Sequence, residues 1–211
     1  MRAVDVGVIR GSTTEKPTHS DDAGDRWWRD RISAFALKGT ESQTAERLFC
    51  CIGGVGFDSE TNRRANALPS WIRAHGGYVL AAARTLMTWQ PVDMRVELPE
   101  KGVTLDEPAS FVVFANAPSY GDGMRIAPHA ALDDGLLDVC FVRGTSKGRI
   151  VSNFASIYSG SHLKLREVEY HQVSRLRVHT ARPLDVYADG EYMCGTPVDV
   201  RVRRKAFKVI C

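Results

Sequence analysis

The chain has 211 residues, 44% hydrophobic and 25% charged, the profile of an ordinary soluble globular protein with room for one good-sized domain or two small ones. A net charge of +3 excludes a dedicated nucleic-acid binder, which needs a clustered basic footprint, and leaves only weak attraction to an anionic membrane surface. The odd set of cysteines (Cys50, Cys51, Cys140, Cys194, Cys211) has no CxxC spacing, and three of them lie in apolar strand-like runs; no signal-like or 18-residue apolar stretch occurs. A reducing cytoplasm is expected, with any membrane contact made from the side.

Ala3 to Ile9 (AVDVGVI) alternates apolar and polar residues and predicts a strand near the start of the chain. From Gly11 to Asp25 the sequence turns polar and turn-rich, and the whole 11–45 stretch reads as an irregular or partly disordered insertion, with Trp27 and Trp28 placed to dock it or to touch a lipid interface. Arg47 to Gly53 (RLFCCIG) predicts a buried strand, followed by Gly53-Gly54-Val55-Gly56-Phe57-Asp58. That glycine spacing matches neither dinucleotide nor Walker loops, so a tight turn into a helix capped by Asp58 or Ser59 is expected. Pro69 to Trp89 predicts one long helix, with Trp71, Ile72, His75, Val79, Ala82, Ala83 and Leu86 on an apolar stripe.

Beyond Val92 the pattern is mostly β. Val92 to Leu98 alternates strictly, and Phe111 to Ala117 reads as a buried strand. Leu137, Val139 and Phe141 alternate with Asp138 and Cys140; later, Leu176 and Val178 alternate with Arg175, Arg177 and His179. Val198, Val200 and Val202 face opposite Asp199, Arg201 and Arg203, and Phe207 to Ile210 closes the chain. Arg149 to Ser159 predicts a second helix with Ser146 as its cap, which also explains the Walker-like GTSKG around Lys147. Short strands with two inserted helices predict a mainly β, α+β fold, a β-sandwich or open barrel, occupying 1–211 as a single domain.

Two acidic Asp-Gly turns carry the candidate chemistry. Asp133-Asp134-Gly135 and Asp189-Gly190-Glu191 each lie between apolar-alternating runs, and Asp-Gly is a strong hairpin signal because both residues tolerate positive φ. Asp122, Asp133, Asp134 and Asp138 are dense enough for a hard-cation site, or equally for a solvated acidic turn. Glu191, held on a hairpin, is placed to act as a general base, or is a plain exposed glutamate. No GxSxG elbow, HExxH or paired Cys/His spacing is present. Arg201 to Lys205 reads as a solvated basic strand face able to meet lipid head groups.

The order of these motifs resembles the C-terminal half of the soluble bacterial diacylglycerol kinase and lipid kinase family, which includes sphingosine-kinase relatives. The match runs through AVDVGVI, the strand into GGVGFD, a helix with Gly76-Gly77-Tyr78, FVVFANAPSYGDGMRIAPHAALDDGLLDV, and VYADGE; it covers residues 3–10 and 46–211. The resemblance implies a β-sandwich domain facing an ATP-binding domain across a cleft. It implies that Glu191 is the general base for a lipid hydroxyl attacking the γ-phosphate. It also implies that Asp134, with the carbonyls of Ala131 and Leu136, organises Mg²⁺. The family's GGDGT nucleotide signature lies upstream of the strand matched by AVDVGVI and is not in this chain. ATP is therefore expected to bind mainly to a nucleotide-binding domain supplied in cis or in trans, and the chain by itself is expected to be inactive. The partners implied are a diacylglycerol-like lipid at a membrane surface and that nucleotide-binding domain, with a homodimer also open and no nucleic acid. The location implied is cytoplasmic and peripheral to the membrane. Two other readings stay open: a non-catalytic β-sandwich that binds lipid or a partner, and a metal-dependent hydrolase built on the aspartate cluster.

Overall fold

A computed structural model describes residues 2–12, 46–72, 77–121 and 123–209. Ten antiparallel strands form one continuous sheet: β1 (Arg2–Ser12), β2 (Glu46–Phe49), β3 (Ile52–Gly56), β4 (Val92–Leu98), β5 (Val103–Ala115), β6 (Leu137–Arg143), β7 (Val168–Val173), β8 (Arg175–Thr180), β9 (Asp185–Ala188) and β10 (Glu191–Val209). Among the described residues, five α-helices decorate it: α1 (Phe57–Asn66), α2 (Ser70–Ile72), α3 (Tyr78–Thr88), α4 (Lys147–Asn153) and α5 (Ser156–Ser159). Six strands in the order β10-β8-β4-β5-β3-β9 close into a barrel because β9 pairs with both β3 and β10. Closure removes the edges that an open sheet would expose. β1 and β2 extend outward from β10, while β6 and β7 extend from β5.

The alternation read from the sequence sets which face is buried. In β4, Val92, Met94, Val96 and Leu98 are buried while Asp93 and Arg95 are exposed, and β8 buries Leu176 and Val178 between exposed Arg175, Arg177 and His179. The larger core joins these residues to Val112 and Phe114 of β5, Leu137, Val139 and Phe141 of β6, and Phe49 of β2. A second cluster lies on the other face of β5 and β6, where Val113, Ala115, Cys140 and Val142 meet Ile126 and Ala127. β6 is therefore covered on both sides, as its near-continuous apolar run requires.

Several expectations change. The strand expected over Ala3–Ile9 runs on to Ser12, because Gly11 and Ser12 pair with Val198 and Gly195 of β10. The stretch expected as one strand over Arg47–Gly53 is two, broken by a bend at Cys50 and Cys51. Those two cysteines are exposed, whereas Cys140 and Cys194 are buried. Arg149–Ser159 forms two short helices, and the expected Ser146 cap holds, its hydroxyl accepting from the Arg149 amide. The long helix expected from Pro69 is helical over α2 and α3, with residues 73–76, including His75, outside the described set. Trp71, expected on its buried stripe, is 69% exposed. Residues 13–45, with Trp27 and Trp28, and Asp122 also lie outside the described residues.

The glycine-rich run after β3 is a packing device. Gly56 has φ 108°, and a Cβ there would sit 2.7 Å from the Ser110 carbonyl oxygen, so only glycine lets β3 turn into α1 against β5. Ser59, one of the two expected caps, accepts from the Gly56 amide and returns a bond to the Gly56 carbonyl. Asp58, the other, points elsewhere.

Candidate functional site

The β9–β10 connection is a two-residue hairpin with positive φ at both Asp189 (50°) and Gly190 (81°), the backbone that an Asp-Gly step favours. The Asp189 carboxylate is spent on structure. It accepts the amides of Cys50 (2.6 Å), Cys51 (3.0 Å) and Ile52 (3.0 Å), which explains why the chain bends between β2 and β3. Asn66, the last residue of α1, donates to the Gly190 carbonyl at 2.8 Å. Glu191 follows directly, exposed, on a turn pinned from two elements.

The other acidic turn is not the tip of a strand pair: β6 begins at Leu137, but turn and coil precede it. Asp133 is bridged by the Arg2 guanidinium (2.7 and 2.9 Å), which holds its carboxyl below the usual range. Asp134 accepts the Leu136 amide at 2.9 Å, and Arg204 donates to the Asp134 carbonyl. Asp138 is fully buried and has partners of its own, accepting from Tyr170 and Gln172. The expected four-aspartate cluster is thus split among separate partners, with Asp122 outside the described residues. Among the described residues no group of three or more His, Cys, Asp or Glu side chains could hold a metal. A cation at this turn would rest on the Asp134 carboxylate and main-chain carbonyls, those of Ala131 and Leu136 included. The donors are all oxygen, which suits Mg²⁺. The buried Asp138 Oδ2 has no hydrogen-bond partner, and burial followed by the nearby Asp134 charge acts to raise the Asp138 pKa. The basic run is accounted for locally, since Arg201 and Arg203 pair with Glu46 while the Lys205 amide donates to Asp5.

Two buried residues that the sequence reading passed over join the turns. Asp5 accepts from the amides of Gly135 (2.7 Å) and Lys205 (2.6 Å). Asn116 donates its side-chain amide to the carbonyls of Asp5 (3.0 Å) and Cys50 (2.9 Å). A continuous hydrogen-bonded path therefore runs from Gly135 through Asp5, Asn116 and Cys50 to Asp189.

Beside the Asp189 hairpin lies a cleft of about 510 Å³ whose walls include Cys51, Asn62, Asp189 and Gly190. At its floor Asp58 accepts both the Tyr78 hydroxyl (3.2 Å) and the Tyr120 hydroxyl (3.0 Å) on one oxygen. Asp58 is 8% exposed, and burial pushes its carboxyl pKa up; burial and the Asp58 charge push both phenols up. The same three side chains line an apolar groove of about 100 Å³ that continues between α1, α3 and the α4–α5 pair, past Phe111, Ile126 and Ile150. Glu191 stands at the rim, next to Gly190, and lines neither space; Asp134 also lines neither. The arrangement suits an amphiphile, with an alkyl chain in the groove and a polar head at Asp58. In the sequence Asp58, Tyr78 and Tyr120 fall in three separate motifs, GGVGFD, GGY and NAPSYGDG, and nothing there linked them.

Residues 52–211 match the family described as the YegS C-terminal NAD kinase beta sandwich-like domain. The chain is 28% identical over 201 residues to a diacylglycerol kinase of Mycobacterium tuberculosis strain H37Rv, covering 95% of this chain and 63% of that protein. It is 33% identical over 111 residues to Homo sapiens sphingosine kinase 2, covering 50% of this chain and 17% of that protein. A Bacillus anthracis diacylglycerol kinase structure superimposes with a TM-score of 0.53 at 12% identity, over 98% of this chain and 52% of that one. At that identity the likeness bears on fold alone. The chain spans less than two thirds of the length of the mycobacterial relative.

Proposed function

Because the chain belongs to the YegS C-terminal beta sandwich-like family, we propose that it is the lipid-facing part of an ATP-dependent lipid kinase acting on a diacylglycerol-like alcohol. In this reading 1–211 is one domain with an insertion over 11–45, working on the cytoplasmic side at a membrane surface. No described helix is long and apolar enough to cross a membrane. The lipid's acyl chain occupies the apolar groove, and its head lies in the cleft near Asp58. Glu191 takes the proton of the acceptor hydroxyl as that oxygen attacks the γ-phosphorus of ATP. The bond from the γ-phosphorus to its bridging oxygen breaks, and ADP leaves with the electron pair. Phosphoryl transfer demands positioning and charge neutralisation more than covalent help from the protein. Mg²⁺ held by Asp134 and the carbonyls of Ala131 and Leu136 supplies positive charge when bound. ATP is held mainly by a nucleotide-binding domain in cis or in trans.

The observation that carries the reading is the Asp189 carboxylate with its three amide donors, which fixes the Glu191 hairpin at the rim of a cleft that opens into an apolar groove. The test is ATP-dependent phosphorylation of diacylglycerol in mixed micelles, by the chain alone and joined to a nucleotide-binding domain of the same family. The chain alone is expected to be inactive and the joined enzyme active, with Glu191→Gln lowering kcat by about 10²–10⁴-fold. Robust turnover by the chain alone, or by the Gln variant, overturns the assignment.

A further inference from the structure

The groove is flanked by two helical segments that also carry large apolar side chains on their exposed faces. In α3, Ala81 and Thr85 are buried and Ala82 lines the groove, while Leu80 (41% exposed), Ala83, Arg84 and Met87 (76% exposed) face outward at helical spacing. Across the groove, Ile150, Asn153, Phe154 and Ile157 line it; Phe154 is also 44% exposed, and with Val151 (59%) and Tyr158 (46%) it sets exposed apolar side chains three and four residues apart. The Lys147 ammonium donates to the Met87 carbonyl and ties the end of α3 to the start of α4. A helix face with large apolar side chains normally packs against a protein interior or a bilayer, and these side chains lie exposed. Isolated exposed apolar residues need no explanation, but two stripes at the same groove do.

The charge on these segments is of one sign. From Tyr78 to Trp89 the only charged residue is Arg84, and from Gly144 to Arg166 the charged residues are Lys147, Arg149, Lys164 and Arg166, with no carboxylate. Glu167, just beyond, is bridged by Arg149 (2.6 Å) and Arg166 (3.0 Å), which together hold its carboxyl down to about 2. An apolar strip edged by Arg84 and Lys164, with Glu167 held between Arg149 and Arg166, is complementary to an anionic bilayer interface, which accepts side chains into its acyl boundary and attracts cations at its head groups.

We infer that α3 and the α4–α5 pair are a docking surface for an anionic phospholipid bilayer, seating the groove's open side against the lipid from which its amphiphile is drawn. The inference rests on the lipid-kinase reading for its substrate, and on these residues alone for the surface. The test is flotation of the 211-residue chain with vesicles of phosphatidylcholine, and of phosphatidylcholine with phosphatidylglycerol. Expected is binding to the anionic vesicles that weakens with added salt and exceeds binding to the neutral ones. Leu80→Ser/Met87→Ser and Val151→Ser/Tyr158→Ser should each lose about tenfold in binding. Arg84→Glu/Lys164→Glu, which leaves every apolar contact in place, covers the case in which a serine pair fails to fold, and should remove the preference for anionic vesicles; circular dichroism checks each variant. Glu191→Gln should float like the parent. Equal binding to both vesicle types, or unchanged binding by all three folded pairs, overturns the inference. So does a dimer in sedimentation that the serine pairs dissociate, because a second copy then covers this face. Vesicle binding without turnover by any joined enzyme would sink the kinase reading and leave the surface standing; turnover in micelles without vesicle binding would do the reverse.

Discussion

Asp189 and Glu191 are two residues apart and do unlike things. Asp189 gives its carboxylate to three amides of the Cys50–Ile52 bend, whereas Glu191 keeps its carboxylate exposed. The hairpin was legible because a two-residue turn with positive φ is a local demand that Asp-Gly meets by itself. The Asp189 contacts were not, because their donors lie 137–139 positions away. Asp189→Asn retains the turn's backbone preference and removes the charge. It should cost about 1–2 kcal/mol in denaturant unfolding, a modest figure because the group is solvent-exposed. The same exchange should lower turnover of the joined enzyme by loosening the Glu191 hairpin. An Asn variant as stable as the parent would mean that the three amides are held by something else.

At the scale of elements, the GGVGFD run shows how a binding motif and a packing motif look alike. Its spacing alone argued against a phosphate loop, and the structure supplies the positive reason: Gly56 at φ 108° meets β5 too closely for a side chain. Gly56→Ala should destabilise by about 1–3 kcal/mol or more, read as a fall in denaturation midpoint. Element ends were less legible. β1 reaches Ser12 only because β10 pairs with it there, and the expected single strand before β3 is broken because Asp189 draws Cys50, Cys51 and Ile52 to itself. In both cases the deciding partner comes from the far end of the chain. The outward stripes of α3 and α4–α5 carry the opposite lesson. An apolar periodicity says that a face is covered, but not whether protein or lipid covers it.

Across the whole molecule, barrel closure brings α1, α3 and the loop of Tyr120 around one buried carboxylate. Asp58 is raised above its ordinary value of 3.8 chiefly by burial. The native state thus holds this proton more tightly than the unfolded chain. Its contribution is fully favourable below that ordinary value and is lost as pH rises through the raised native pKa. Asp58→Asn removes this dependence. As pH rises above about 4 the stability difference should shift in favour of the Asn variant, as measured by parallel thermal melts. The same variant should bind the lipid head more weakly, raising KM. A pH-independent difference would show that Asp58 stays ionised throughout and that the tyrosine hydroxyls offset its burial.

The sequence by itself determined the mainly β class, the strict alternation of β4 and β8, the Ser146 cap, the Asp-Gly hairpin at Glu191 and the family resemblance, because each depends on neighbours in the chain or on a motif in order. Only the tertiary structure decided that β9 closes a six-strand barrel, that the aspartates of residues 133–138 answer to different partners, and that Asn116 and Asp5 tie one acidic turn to the other. It alone placed Asp58 under Tyr78 and Tyr120, contacts that span 20 and 62 positions. Local backbone preference is written in adjacent residues, whereas the burial of a charge and the partners of a carboxylate depend on what the fold brings from elsewhere.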